Sequence, residues 1–181
     1  MISLLRAAFD RVRALLVALV AGFLALGGTP IALAAPAPVV HIRSLAELST
    51  PLPLPYDHVA VARDQVALAQ SRARASGKLL LIDLGGNWCA DCRLLAAVMQ
   101  LPEVAAFVDA HYVLVPVDVG RMDRNLDIPA HWGVKRVDGV PSLLVVDSSD
   151  HLINAGHQEA LADARSMTPQ ALADWLAHWT P

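Results

Sequence analysis

Six consecutive residues, Leu79-Leu80-Leu81-Ile82-Asp83-Leu84, form an apolar run broken by a single acid. Such a run suits a strand covered on both faces, because a half-exposed strand alternates polar with apolar side chains. Gly85-Gly86-Asn87 ends it, and helical spacing follows at Leu94, Leu95, Val98 and Met99. A strand buried on both sides and followed at once by a helix restricts the domain to the α/β class, a central mixed β-sheet flanked by helices on both faces. The chain has 2 cysteines, Cys89 and Cys92, and both fall at this strand-to-helix joint.

The flanking sequence supplies the other layers. A helix is expected over 57–76, with Asp57 as its cap and Val59, Ala62, Val66, Ala69 and Ala73 as its apolar face. Gly77 follows its last turn, where a left-handed cap belongs. Pro102 interrupts the helix that starts at the cysteines, and a further turn or two is expected over 103–110. Strands are expected over 112–119 and 142–147, with a polar loop over 120–130 after the first of them. Ser148-Ser149-Asp150 is read as a turn and 151–155 as the hairpin partner of the last strand. The final helix has Thr168 as cap, Pro169 at its first position and Leu172, Trp175, Leu176 and Trp179 as its buried face. Residues 57–181 thus read as one domain.

Length and charge bound the function. The 181 residues suffice for one domain. A net charge of −3 argues against nucleic acid as a partner, since phosphate binding needs a basic patch. Mean hydropathy is +0.46, and much of that excess lies in the first forty residues. There, Arg6, Arg11 and Arg13 precede an apolar run over 14–26, and Ala32-Leu33-Ala34 offers small residues for cleavage. Residues 1–35 therefore read as an export signal. An uncleaved anchor is the competing reading, because no charge occurs from 14 through 40. Either reading places the rest of the chain outside the cytoplasm, in the periplasm. Residues 36–56, with Pro36, Pro38, Pro51, Pro53 and Pro55, read as a linker with a short strand at 39–42.

The motif Trp88-Cys89-Ala90-Asp91-Cys92 carries the chemistry. A thiolate is the nucleophile in disulfide exchange, and the unpaired N–H groups of a helix start lower a thiol pKa from about 8.5 to roughly 3.5–7.5. The two-residue spacing lets the second thiol attack the mixed disulfide made by the first. Cys89 is then the attacking residue and Cys92 the resolving one. A structural disulfide across so short a loop would contribute only about 2 kcal/mol. Two thiolates are too few for a closed zinc site, and His41, His58, His111, His131, His151, His157 and His178 show no ligand spacing. Soft Cu(I) can be held by two sulfurs, so copper binding or delivery stands as the alternative function. Arg93 directly follows Cys92, where covalent haem attachment needs a histidine. No resident cofactor or metal is expected.

From Lys78 to about Gly156 the chain resembles thioredoxin, and more closely the exported thioredoxin-like proteins with a helical lead-in. Four features carry the resemblance. Trp88 precedes the first cysteine, an apolar strand leads into the motif, Asp83 lies six residues before Cys89, and Gly139-Val140-Pro141 precedes an apolar strand. The resemblance implies that Asp83 is a buried carboxylate accepting the Cys92 proton. It implies a cis Val140–Pro141 bond opposite the cysteines, with Pro141 leaving backbone beside the sulfurs for substrate, and Trp88 packed beside the site. Ordinary core packing is the plainer reading of Trp88, and a backbone-bonded polar residue that of Asp83.

The chain also departs from the family. Ala90-Asp91 replaces the usual Gly-Pro, and Gly85 stands where an aromatic residue is common. The lysine that neighbours the buried acid in thioredoxin aligns near Leu114, which leaves Asp83 without that partner. Asp91 would disfavour the Cys89 thiolate if its charge is felt there, which favours a reductant; a solvated Asp in the first helical turn is the alternative. The expectation is an exported monomeric thiol–disulfide oxidoreductase. It would reduce disulfides of other exported proteins with electrons from a membrane donor, a direction also implied by likeness to the C-terminal domain of the DsbD-type membrane reductase.

Overall fold

Prolines, glycines and caps fall where the chain changes direction, and the computed structural model, which describes residues 35–181, shows what they separate. Residues 1–34, which hold the expected signal or anchor, lie outside the described residues. Strand β1 (Leu79–Gly85) is the middle of a three-stranded sheet. It runs parallel to β2 (Tyr112–Asp118) and antiparallel to β3 (Ser142–Val146). Among the described residues five α-helices accompany the sheet: α1 (Ala62–Ser76), α2 (Ala90–Met99), α3 (Pro102–His111), α4 (Asp127–His131) and α5 (Pro169–His178).

Alternation along the strands splits the core in two. Leu81, Leu143 and Val145 pack with Leu95 and Val98 of α2 and with Leu172 and Leu176 of α5. Leu80, Ile82, Leu84, Leu144 and Val146 pack with Val66, Ala69 and Ala73 of α1. The continuous apolar run of β1 is thus covered on both faces, and the mixed α/β sheet is as its sequence requires.

Three elements differ from the sequence expectation. Helix α1 begins at Ala62, five residues after Asp57. The Asp57 carboxylate instead accepts the Val59 N–H at 2.9 Å and closes a local turn, which competes with the helix. Val59 is accordingly exposed and lies off the buried face. Residues 151–155 make a single bridge, Val146 to Leu152, in place of a hairpin strand. The buried Asn154 side chain takes the strand's role, accepting from Val145 N–H at 2.9 Å and donating to Leu143 O at 2.8 Å. Residues 36–56 contain no strand and are strapped to the domain. Gln170 bonds the backbone of Val40 and Pro38 at 2.9 and 3.0 Å, Glu103 accepts the His41 N–H at 3.0 Å, and Arg93 donates to Leu52 O at 2.9 Å. Leu48 and Tyr56 of this strap are buried in the core.

Candidate active site

β1 delivers the chain into Gly85-Gly86-Asn87-Trp88, and Cys89 becomes the N-cap of α2 with extended backbone (φ −85°, ψ 116°). Its sulfur accepts the Cys92 N–H at 3.2 Å, so a thiol does what a serine or aspartate oxygen does at other helix starts. Both cysteines are free thiols; Cys89 retains 5% exposure and Cys92 none. The hydrogen bond with the Cys92 side chain outweighs burial and holds the Cys89 thiol down at about 7. The Cys92 backbone N–H adds to that lowering, while the Asp91 charge opposes it. Cys92 is pushed up, first by its hydrogen bond to Cys89 and then by burial. The pair therefore divides into an ionisable thiol at Cys89 and a protonated one at Cys92. Alkylation with iodoacetamide should accordingly rise with pH through about 7 at Cys89 and leave Cys92 unmodified in the folded chain, read by peptide mass spectrometry.

Asp83 is fully buried in β1, opposite Pro116 of β2 and Leu143 of β3. Burial pushes its carboxyl up to about 7, against the opposing pull of a hydrogen bond from Tyr56. The Tyr56 hydroxyl donates to both carboxylate oxygens at 2.9 Å. Among the described residues no Lys or Arg pairs with Asp83. Tyr56 partners the acid instead. Sequence reasoning missed Tyr56, and Gly85 held the clue. A Cβ at Gly85 would lie 2.4 Å from Tyr56 Oη and 2.9 Å from Cys92 Sγ. The missing aromatic at that position is replaced by one brought from the strap.

A cleft of roughly 370 Å³ opens beside Cys89, bordered by Trp88, Asp91, Met122, Val140 and Arg165. The Val140–Pro141 bond is cis, and Val140 O accepts from the Cys89 thiol at 3.4 Å, so Pro141 sits opposite the dithiol. Trp88 is 46% exposed, which excludes plain core packing. Its indole N–H donates to Gly120 O at 2.6 Å, and the Arg121 guanidinium stands 4.9 Å from the ring centre. Met122, distant from the cysteines in sequence, borders the cleft with Cys89. Among the described residues no three His, Cys, Asp or Glu side chains converge as metal ligands.

Asp91 is neither solvated nor a bare charge. Its side chain is 6% exposed and accepts Arg165 Nε–H at 2.9 and 3.0 Å, the Arg165 backbone N–H at 2.8 Å and a further bond from Nη2. Arg165 holds the Asp91 carboxyl below the usual carboxylate range. Replacing Arg165 by alanine would leave the buried carboxylate with only the backbone N–H of residue 165, at a cost of roughly 1–3 kcal/mol. It should also move the Cys89 ionisation above 7, because the opposing charge is then uncompensated. Denaturant unfolding and the alkylation profile measure the two effects.

A capped, low-pKa thiol over a buried thiol and a buried acid, facing a cis-proline, defines a dithiol site on a thioredoxin fold. The thioredoxin-like family profile matches residues 61–148. A structure titled disulphide isomerase from Xylella fastidiosa Temecula1 is 35% identical, covering 70% of this chain and 97% of that one with a TM-score of 0.66. The chain belongs to the thioredoxin-like family. Thioredoxin from Trichomonas vaginalis is 22% identical over 53% of this chain and 74% of that one, with a TM-score of 0.34. No curated protein matches.

Proposed function

We propose that the chain is an exported thiol–disulfide oxidoreductase that reduces disulfides in other periplasmic proteins, using the Cys89–Cys92 couple and no other cofactor. The observation that carries this reading is the asymmetry of the pair: Cys89 caps a helix start and borders the cleft, and Cys92 is fully buried beneath it. The Cys89 thiolate attacks a substrate disulfide, forms a mixed disulfide and releases one substrate thiolate. Cys92 then gives up its proton and attacks Cys89 Sγ. The Cys89–Cys92 disulfide forms, the second substrate thiolate leaves, and two electrons have passed to the substrate. Asp83 is the nearby buried base. The Val140 carbonyl and the apolar cleft wall suit an extended substrate segment.

The direction follows from how far the thiolate is stabilised. Stabilising the reduced form makes an oxidant, as in DsbA with its cysteine near roughly 3.5, whereas thioredoxin's lies at about 7. The Cys89 thiol is lowered but the Asp91 charge opposes further lowering, which favours the second case. A reductant of this kind needs an electron source, for which a membrane donor fits the expected location. Catalysed reduction of insulin disulfides by dithiothreitol tests the reading. Acceleration abolished in Cys89→Ser is expected, and no acceleration by the native chain would overturn it. The similarity to a protein named disulphide isomerase favours a second reading, in which the same Cys89 attack rearranges substrate disulfides before Cys92 resolves. Recovery of activity from scrambled ribonuclease by the reduced chain, retained in Cys92→Ser, would favour it.

A further inference from the structure

One buried hydroxyl beside the sulfurs has no task in the exchange chemistry above. Tyr56 is 2% exposed and comes from the strap rather than from any strand or helix. Its main chain is fixed to the loop that carries the motif: Tyr56 N–H donates to Asn87 Oδ1 at 3.1 Å, and Asn87 Nδ2 donates to Tyr56 O at 2.8 Å. Asn87 lies two residues before Cys89, so these bonds register Tyr56 to the dithiol. The Tyr56 proton is directed at Asp83, at 2.9 Å from each oxygen, which leaves a lone pair of Oη free to accept. Tyr56 Oη and Cys92 Sγ border the same small space, since a Cβ at Gly85 would meet them at 2.4 and 2.9 Å.

We propose that Tyr56 is a positioning residue that passes the Cys92 proton to Asp83, which makes the strap over 36–56 part of the redox site. This rests on the exchange reading above. In the resolving step Tyr56 Oη takes the proton from Cys92 Sγ as its own proton moves to the Asp83 carboxylate. The Cys92 thiolate attacks Cys89 Sγ, the Cys89–substrate S–S bond breaks, and the substrate leaves as a thiolate that takes a proton from water. Asp83 afterwards loses its proton to solvent, so atoms and electrons balance. The titratable groups around Asp83 are Tyr56, Cys89 and Cys92, while Asp91 is occupied by Arg165. Burial keeps the Tyr56 hydroxyl protonated in the resting state, as a relay requires.

Stopped-flow reaction of the reduced full chain with excess dithiobis(nitrobenzoate) separates the two steps. The first phase is Cys89 attack and scales with reagent; the second is resolution by Cys92 and does not. In Tyr56→Phe the first phase should stay within about twofold, and the second should slow about tenfold to a hundredfold. The pH inflection of the second phase should also move up from about 7, because Asp83 loses the hydrogen bond that lowers it. Tyr56→Phe combined with Asp83→Asn should be no slower than Asp83→Asn alone, as for two members of one path. Asn87→Ala, which frees the strap without touching the relay atoms, should slow the second phase alone. A second phase unchanged in rate and inflection in Tyr56→Phe would overturn the relay. Equal slowing of both phases in the variants, or losses that multiply in the double variant, would overturn it too. Absence of the first phase in the native chain would instead sink the exchange reading itself.

Discussion

Serine at position 89 will leave a chain that reduces no disulfide, with turnover lower by at least about a thousandfold, while serine at position 92 will stop the reaction halfway. The two outcomes differ because the two sulfurs are differently placed. Cys89 borders the cleft and ionises at about 7, so it alone can begin the attack. A serine hydroxyl there has the helix start and the Cys92 N–H but no accessible anion. In Cys92→Ser the attack proceeds and the mixed disulfide has no buried thiol to resolve it. Intact mass of the Cys92→Ser chain mixed with a disulfide substrate should show the covalent adduct. The Cys89→Ser chain should show none. An adduct on Cys92 in the Cys89→Ser chain would reverse the assignment.

Asp83→Asn should stabilise the reduced chain above about pH 7. The carboxyl titrates at 3.8 in an ordinary setting and at about 7 when folded. Between those values the folded chain holds the proton and the unfolded chain does not. The stability Asp83 contributes is therefore complete below 3.8 and is lost as pH rises toward about 7. Above that, a buried charge costs the fold about 2–4 kcal/mol, the upper figure being the full linkage between the two values. Asparagine keeps an oxygen to accept the Tyr56 hydroxyl and removes the charge. Urea unfolding should therefore show the variant gaining most of that amount above pH about 7 and little at acid pH. A variant less stable than the native chain at neutral pH would contradict the buried, strained carboxylate. The same substitution should slow resolution, which is the functional reason for keeping a destabilising group.

The features legible in the sequence are local ones. The apolar run of β1, its break at Gly85-Gly86, the cysteines at the helix start and Asp83 six residues earlier all lie within one strand-turn-helix unit, where spacing fixes geometry. Thr168 and Pro169 likewise set the start of α5 by adjacent chemistry. What sequence spacing could not supply came from afar. Tyr56 reaches Asp83 across 27 residues, and Arg165 reaches Asp91 across 74. The strap reads as a linker with a short strand because its prolines exclude a long helix, yet prolines do not forbid docking, and its backbone groups find side-chain partners in Gln170, Glu103 and Arg93. The missing hairpin strand has the same origin: Asn154 mimics a backbone partner, which no alternation pattern reveals. Of the two sequence readings of Asp91, its charge does oppose the Cys89 thiolate, while a distant arginine holds the carboxylate and excludes the solvated one.

The reduction potential of the Cys89–Cys92 couple, measured on the purified chain by equilibration in thiol–disulfide buffers, bears most directly on the proposed activity. One reversible two-electron couple at or below roughly −270 mV is expected, the range of a thioredoxin-like reductant. A couple near roughly −120 mV would contradict the direction and make the chain an oxidant. No reversible couple at all would contradict the redox site and bring Cu(I) binding at Cys89 and Cys92 to the front.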